Sequence, residues 1–211
     1  MVLNPHHNLT MADLSREQIS DVIETWIALY YEYMDCTPIS RLQCRDVIKL
    51  DDKCERSARC TSRYRYMQIF ENKGAAMGCS SAHPHCQIWI TDSLPDELAL
   101  EGERMQKYRR EHDGAHMLAD YASLECKQKE RVVFQNKAFV IVCPWWATWP
   151  FETMILPRKQ RRALIDLDPD EVSLLAEAYQ EITRRYDNLF QTIFPYGEHV
   201  PLLLLYVSQF N

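Results

Sequence analysis

FENKGAAMGCSSAHPHCQIWI, residues 70–90, decides how the rest of the chain is read. Two of the chain's five glycines, Gly74 and Gly78, stand in a run of small residues that leads into two histidines one residue apart. Pro84 fixes its own φ and drives His83 out of the helical region, so an extended segment is predicted from the histidines onward. Side chains alternate across such a strand: His83, His85 and Gln87 share one face, with Trp89 continuing their row, while Cys86, Ile88 and Ile90 share the other. One row suits a core and the other a cleft, which is what a strand carrying chemistry requires.

On the residues alone the histidine pair has more than one reading. A neutral imidazole is a competent nucleophile toward phosphorus, and its unperturbed pKa of about 6.5 leaves it largely neutral at cytosolic pH. A carbonyl holding one ring nitrogen protonated would aim the other at a substrate, and the Gln87 amide would meet a phosphate oxygen where charge builds up. Glycine lets main chain approach a ligand, so the loop 74–81, with the Ser80 hydroxyl, is a candidate phosphate cradle. His-x-His on a strand is more often a metal pair or a satisfied polar pair.

FENKGAAMGCSSAHPHCQIW resembles, over a long and nearly ungapped match, the signature of galactose-1-phosphate uridylyltransferases of the HPHxQ type, relatives of the histidine triad proteins. The resemblance implies an α+β fold: a histidine-triad-like antiparallel sheet with flanking helices, in two related halves of which this chain holds parts. It implies that His85 attacks the α-phosphorus of UDP-glucose, releases glucose 1-phosphate and carries UMP until galactose 1-phosphate accepts it. Such double displacement gives ping-pong kinetics. By the same carry-over, Asn72, Gly78, Cys79, Ser80 and Gln87 contact the nucleotide and its phosphates. The family reads S-N-P-H-P-H where this chain has Ser81 and Ala82 in place of Asn and Pro, which loosens the approach to the strand.

Metal ligands are implied in the same way. The opening NPHHNLTMADLS resembles the family segment whose histidine, here His7, binds a structural zinc with the first histidine of the HPH motif, here His83. The other two ligands are a Cys-x-x-Cys pair from an earlier segment, and this chain begins after it. A closed structural zinc site needs four ligands, so only a partial site is expected, with solvated His6 and His7 as the alternative. Glu101 matches the glutamate that binds a second metal, usually iron, with three histidines of a C-terminal stretch absent here. Glu101 is therefore expected as a helix-surface carboxylate, and His112 and His116 as exposed helix residues.

Composition bounds the class. A net charge of −6 and a pI near 5.7 argue against nucleic-acid and membrane-surface partners. No apolar run approaches the roughly 18 residues of a membrane span. MVLNPHHN lacks the basic and apolar regions of a secretory signal, so eight cysteines are expected as reduced thiols in a cytosolic protein. Family members form homodimers whose partner completes the site, and the resemblance carries that expectation.

Along the chain, Ser15 and Gln18 form a capping box before a helix at 16–33 with an apolar stripe. Residues 34–62 match nothing in the family; Cys36, Cys44, Cys54 and Cys60 lack a Cys-x-x-Cys knuckle, so a surface insertion is favoured over a second zinc site. A strand feeds the loop, and helix follows at 98–121 with an interruption near Asp113–Gly114. Runs at 131–135 and 139–143 make a hairpin around Asn136-Lys137-Ala138. In WWATWP, Trp145, Trp146 and Trp149 suggest either a sugar-stacking platform or core packing, the latter favoured. A strand at 153–156 precedes a helix capped by Asp168-Pro169 that buries Val172, Leu175, Ala176, Tyr179, Ile182, Tyr186 and Leu189.

The match stops after Tyr196, with an edge strand conceivable at 202–207. The division expected is 1–93 for the end of a first transferase half, 94–196 for the start of a second and 197–211 for an unmatched tail, the whole truncated at both ends. Two rival functions stay open: a histidine-triad nucleotide hydrolase, against which Gln87 argues because such hydrolases carry a third histidine there, and an impaired fragment that binds nucleotide or a full-length homologue.

Overall fold

The computed structural model of the chain describes residues 1–34, 64–79, 81, 83–200 and 205–208. The expected insertion beyond Met34, with its four cysteines, lies outside the described residues, as does Ser80. Helix α1 spans Arg16–Tyr33 and begins at the capping box: Ser15 Oγ accepts from Gln18 N, and Gln18 Oε1 accepts from Ser15 N. Ile19, Val22, Ile23, Trp26 and Tyr30 recur every three or four residues and are all buried, so one stripe of the helix faces the core. Helix α4, Pro169–Phe190, opens on a second capping box between Asp168 and Glu171, with proline at its first turn where no N–H is needed.

Between these helices run β1 (Tyr66–Lys73), β2 (Gln87–Thr91), α2 (Asp96–Glu111), α3 (Met117–Gln128), β3 (Val132–Gln135), β4 (Phe139–Val142) and β5 (Thr153–Pro157). After α4 come β6 (Tyr196–Val200) and β7 (Leu205–Ser208). The seven strands form one antiparallel sheet in the order β2-β1-β6-β7-β5-β4-β3. Residues 205–208 are therefore not an edge strand: β7 lies inside the sheet, paired with β5 and β6, and its backbone groups are bonded on both sides.

α1 and α4 pack side by side on one face of the sheet, with Trp26 and Tyr179 6.2 Å apart between ring centroids. Met67, Ile69, Cys86, Phe139, Ile141 and Ile155 meet them there. Large apolar side chains so buried each contribute about 1.5–3 kcal/mol of transfer free energy. On the opposite face α3 places Ala122 against Val140, Val142, Met154 and Leu156. β4 is consequently buried on both faces, and its sequence FVIV has no polar row to expose.

The interruption expected near Asp113–Gly114 is there: both residues take positive φ in the turn that separates α2 from α3. His112 caps the end of α2 and is exposed, whereas His116 is the half-buried N-cap of α3 rather than an exposed helix residue. The tryptophans expected in the core are on the surface: Trp145, Trp146 and Trp149 are 76%, 45% and 37% exposed. Their loop is held instead by Glu152, whose Oε2 accepts from Thr148 N and Trp149 N, so hydrogen bonding replaces indole burial there. Leu189, expected on the buried face of α4, is also exposed, while Tyr186 and Phe190 beside it pack against Phe194.

Candidate active site

β1 and β2 pair with Phe70 opposite Gln87 and Gln68 opposite Trp89. Continuing two residues along each strand brings Asn72 and His85 onto the same face as Gln87 and Trp89. Cys86 points the other way, 1% exposed, into the core under α1 and α4. Burial pushes its thiol up to about 11, so it is not a nucleophile at neutral pH. Gln87 and Trp89 are exposed and His83, His85, Asn72 and Phe70 half-buried. Among the described residues the polar row read from the sequence thus lies on an open part of the sheet, beyond the cover of α3.

The ring of His85 is aimed by its own strand. Its Nδ1 lies 2.8 Å from the carbonyl oxygen of His83, an acceptor that holds the proton on Nδ1 and leaves the lone pair on Nε2. That carbonyl is steady because the N-terminal segment pairs with the strand: Leu3 N donates to Pro84 O at 2.9 Å, Cys86 N donates to Met1 O at 2.9 Å, and Val2 bridges His85. Residues 1–3 form a short run without periodicity, so the sequence carries no signal for this pairing.

The loop before the strand is a tight turn. Gly74 has φ of 92° and Gly78 of 76°, flanking one turn of 3-10 helix at Ala75–Met77. Met77 N and Cys79 N donate to Gly74 O, and Gly78 N donates to Ala75 O. Those three amides are spent inside the turn, which narrows the phosphate cradle expected of residues 74–81. Cys79 Sγ donates to Ser81 O at 2.9 Å, tying the loop's end together.

The metal expectations meet a different environment. His83 Nε2 lies 2.6 Å from Asn4 O, so that nitrogen carries a proton rather than a lone pair. His7 is solvent-exposed, and among the described residues no three of His, Cys, Asp and Glu converge as a metal site. The proton on Nε2 leaves the lone pair of His83 on Nδ1, the arrangement in which a histidine can still ligate a metal. Glu101 is on the exposed surface of α2, its carboxyl raised by desolvation and by Glu97 beside it.

A separate cavity of about 550 Å³, lined by Cys143, Phe151, Arg185, Tyr186 and Leu189 among others, opens at the α4 side of β3 and β5. It contains no residue of the polar row.

The inward face of β1 holds a surprise. Met67 and Ile69 are followed on the same face by Glu71 and Lys73, both buried. Glu71 Oε2 accepts from the Tyr196 hydroxyl at 2.8 Å, and Lys73 Nζ lies 3.3 Å from Asp187 Oδ1 on α4. Burial raises the Glu71 carboxyl to about 7 against the pull of Tyr196, Lys73 and His85. Extending the period-2 pattern by two steps would have flagged both residues.

A solved structure described as a uridylyltransferase superposes on 98% of this chain and 60% of its own with a TM-score of 0.80 at 23% identity, and an ADP-glucose phosphorylase from Arabidopsis thaliana superposes at 0.71. The fold is that of the uridylyltransferase-like α+β proteins. In sequence, residues 1–95 match the family model of the galactose-1-phosphate uridyl transferase N-terminal domain, and residues 101–202 that of the C-terminal domain. The chain belongs to the galactose-1-phosphate uridyl transferase family. Galactose-1-phosphate uridylyltransferases of Hypocrea jecorina and Neurospora crassa are 50% and 46% identical to it over 95% of its length. The chain spans about half the length of these curated relatives, 52% of each.

Proposed function

We propose that the chain serves uridylyl transfer between hexose 1-phosphates, with His85 as the nucleophile. In the first step Nε2 of His85 forms a bond to the α-phosphorus of UDP-glucose while the bond from that phosphorus to the bridging oxygen breaks, and glucose 1-phosphate departs with the electron pair. In the second a phosphate oxygen of galactose 1-phosphate attacks the same phosphorus, and the imidazole leaves to give UDP-galactose. No other reactant is required. Gln87, exposed on the same face, donates to the phosphoryl oxygens as charge builds, and Asn72 and the 74–81 loop with Gly78, Cys79 and Ser80 flank the nucleotide.

The observation that carries this reading is the His85 ring held at Nδ1 by a strand carbonyl on an uncovered sheet face, in a chain matched by both domain models of the family. The same reading places the protein in the cytosol as one partner of a homodimer, acting on UDP-glucose and galactose 1-phosphate.

Incubation with UDP-glucose labelled in its α-phosphate tests it. The expected result is acid-labile label on His85, chased off by galactose 1-phosphate and absent in His85→Ala. Label lost to water and not to galactose 1-phosphate would point to a hydrolase. Nucleotide binding with no label would point to a site that needs further chain to react, and label persisting in His85→Ala would end the assignment.

A further inference from the structure

Directly behind the open face, on the core side of the same strands, sits a group of side chains that uridylyl transfer does not use. Glu71 of β1 and Glu198 of β6 are opposed in register, and each is 3% exposed. Like charges facing one another across paired strands repel, and two carboxyl groups sharing a dry site do not both ionise. Glu71 has one partner, the Tyr196 hydroxyl. Beside Glu198 stands the wholly buried Tyr179 hydroxyl of α4; the contact misses ideal hydrogen-bond geometry, but the hydroxyl pulls the Glu198 carboxyl down as a weak donor, against the larger upward push of burial and Glu71.

The surroundings do not neutralise the pair. On β1, Lys73 is the one cation among the described groups acting on both, and its ammonium is already engaged by Asp187 of α4 and lies 5.0 Å over the Tyr196 ring. From the segment leading into β2 come the buried, protonated Cys86 thiol and, acting on Glu71, His85. α1 offers only neutral groups: the Trp26 indole, whose N–H interacts weakly with the Cys86 sulfur, and the Tyr30 hydroxyl, which donates to Met67 O. With Lys73 balanced by Asp187, full ionisation would leave two uncompensated negative charges in the core.

We propose that Glu71 and Glu198 keep a proton between them at neutral pH, and that this proton is a pH-sensitive latch on the seam of β1 and β6 behind His85. Loss of the proton to solvent sets two carboxylates against each other across the seam and loosens it. The inference is independent of the transfer reaction, since a chain that never labels at His85 still carries the latch.

The direction follows from proton linkage. Burial raises the Glu71 carboxyl from an ordinary 4.5 to about 7, and raises Glu198 well above its ordinary value through burial and then through Glu71. The folded chain therefore binds more protons than the unfolded chain above pH 4.5. This stabilisation is complete below that pH and is lost as pH rises through about 7 and beyond.

Urea unfolding of the full chain at pH 5, 6, 7 and 8, with amide hydrogen exchange corrected for its intrinsic pH dependence, tests the latch. The unfolding constant should rise with pH, by at most about tenfold per pH unit for each proton released. Amides of β1 and β6 should lose protection before those of β4 and β5. Glu198→Gln should flatten the pH dependence and be the more stable chain at pH 8; Glu71→Gln serves if that variant does not fold. The unmodified chain should also show, at pH 7, the infrared carbonyl stretch of a buried protonated carboxyl. A flat pH profile, an unchanged slope in the glutamine variant, or absence of that band would overturn the proposal.

Discussion

The two ends of the sheet solve the same geometric problem differently. At the β4–β5 end helices lie on both faces; all four residues of β4 and the first four of β5 are buried, and the strand sequences are nearly continuous apolar runs. At the β2–β1 end, among the described residues, α1 and α4 cover one face, while on the other only the Tyr66 end is buried, with Glu101 of α2 close by. Trp89 is 61% exposed against the edge of Phe70, and polar residues alternate with apolar ones. Where chemistry needs a row of polar groups in reach of solvent, one face stays uncovered. The charges that β1 cannot place outside, Glu71 and Lys73, then fall inside and must find partners there.

The largest expected effect separates neighbours on one strand. His85→Ala should abolish covalent labelling by UDP-glucose, whereas Cys86→Ala, one residue on and facing the core, should label as the unmodified chain does. Equal loss in both would break the assignment of faces. Next comes stability at the two ends: Leu156→Ala, buried under α3, should cost about 2–5 kcal/mol by urea unfolding. Trp89→Ala on the open face should stay within about 0.5 kcal/mol. A Trp89 cost as large as that of Leu156 would mean that the open face is not open.

The glycines of the loop sharpen the picture further. Both have positive φ, but an added Cβ at Gly74 would meet Pro195 Cβ at 3.0 Å, while at Gly78 nothing lies within 4 Å. Gly78→Ala should lose about 1–2 kcal/mol from backbone strain alone, and Gly74→Ala more, because the residue leading into β6 must move as well. At the small end, breaking the exposed Lys107–Glu111 pair on α2 should change stability by about 0.3–0.5 kcal/mol, readable in a double-mutant cycle.

Much of the site was legible because its signals are local. Pro84 and period-2 alternation place His85 and Gln87 on one face without reference to any other segment, and the capping boxes at Ser15 and Asp168 announce their helices within four residues. The Asn4 carbonyl on His83, the antiparallel contact of residues 1–3 with residues 84–86, and the Glu71–Glu198 pair join positions 79, about 84 and 127 residues apart. No periodicity within one segment reports such meetings. The surface position of the three tryptophans was misread for a related reason: indole hydrophobicity favours the core, but the loop's conformation is decided by the Glu152 carboxylate that its own amides bind.

The sequence by itself determined the element types from α1 to α4, the face on which His85 stands and the chain's kinship, since each follows from short-range sterics, alternation and an ungapped motif; β6 was not legible in it. Tertiary structure alone decided which face is left uncovered, that β7 is interior, that His83 gives a ring nitrogen to Asn4 O, and that two glutamates share the core. Those outcomes depend on which distant strands and helices pack together, and burial, unlike propensity, is a property of the whole assembled chain.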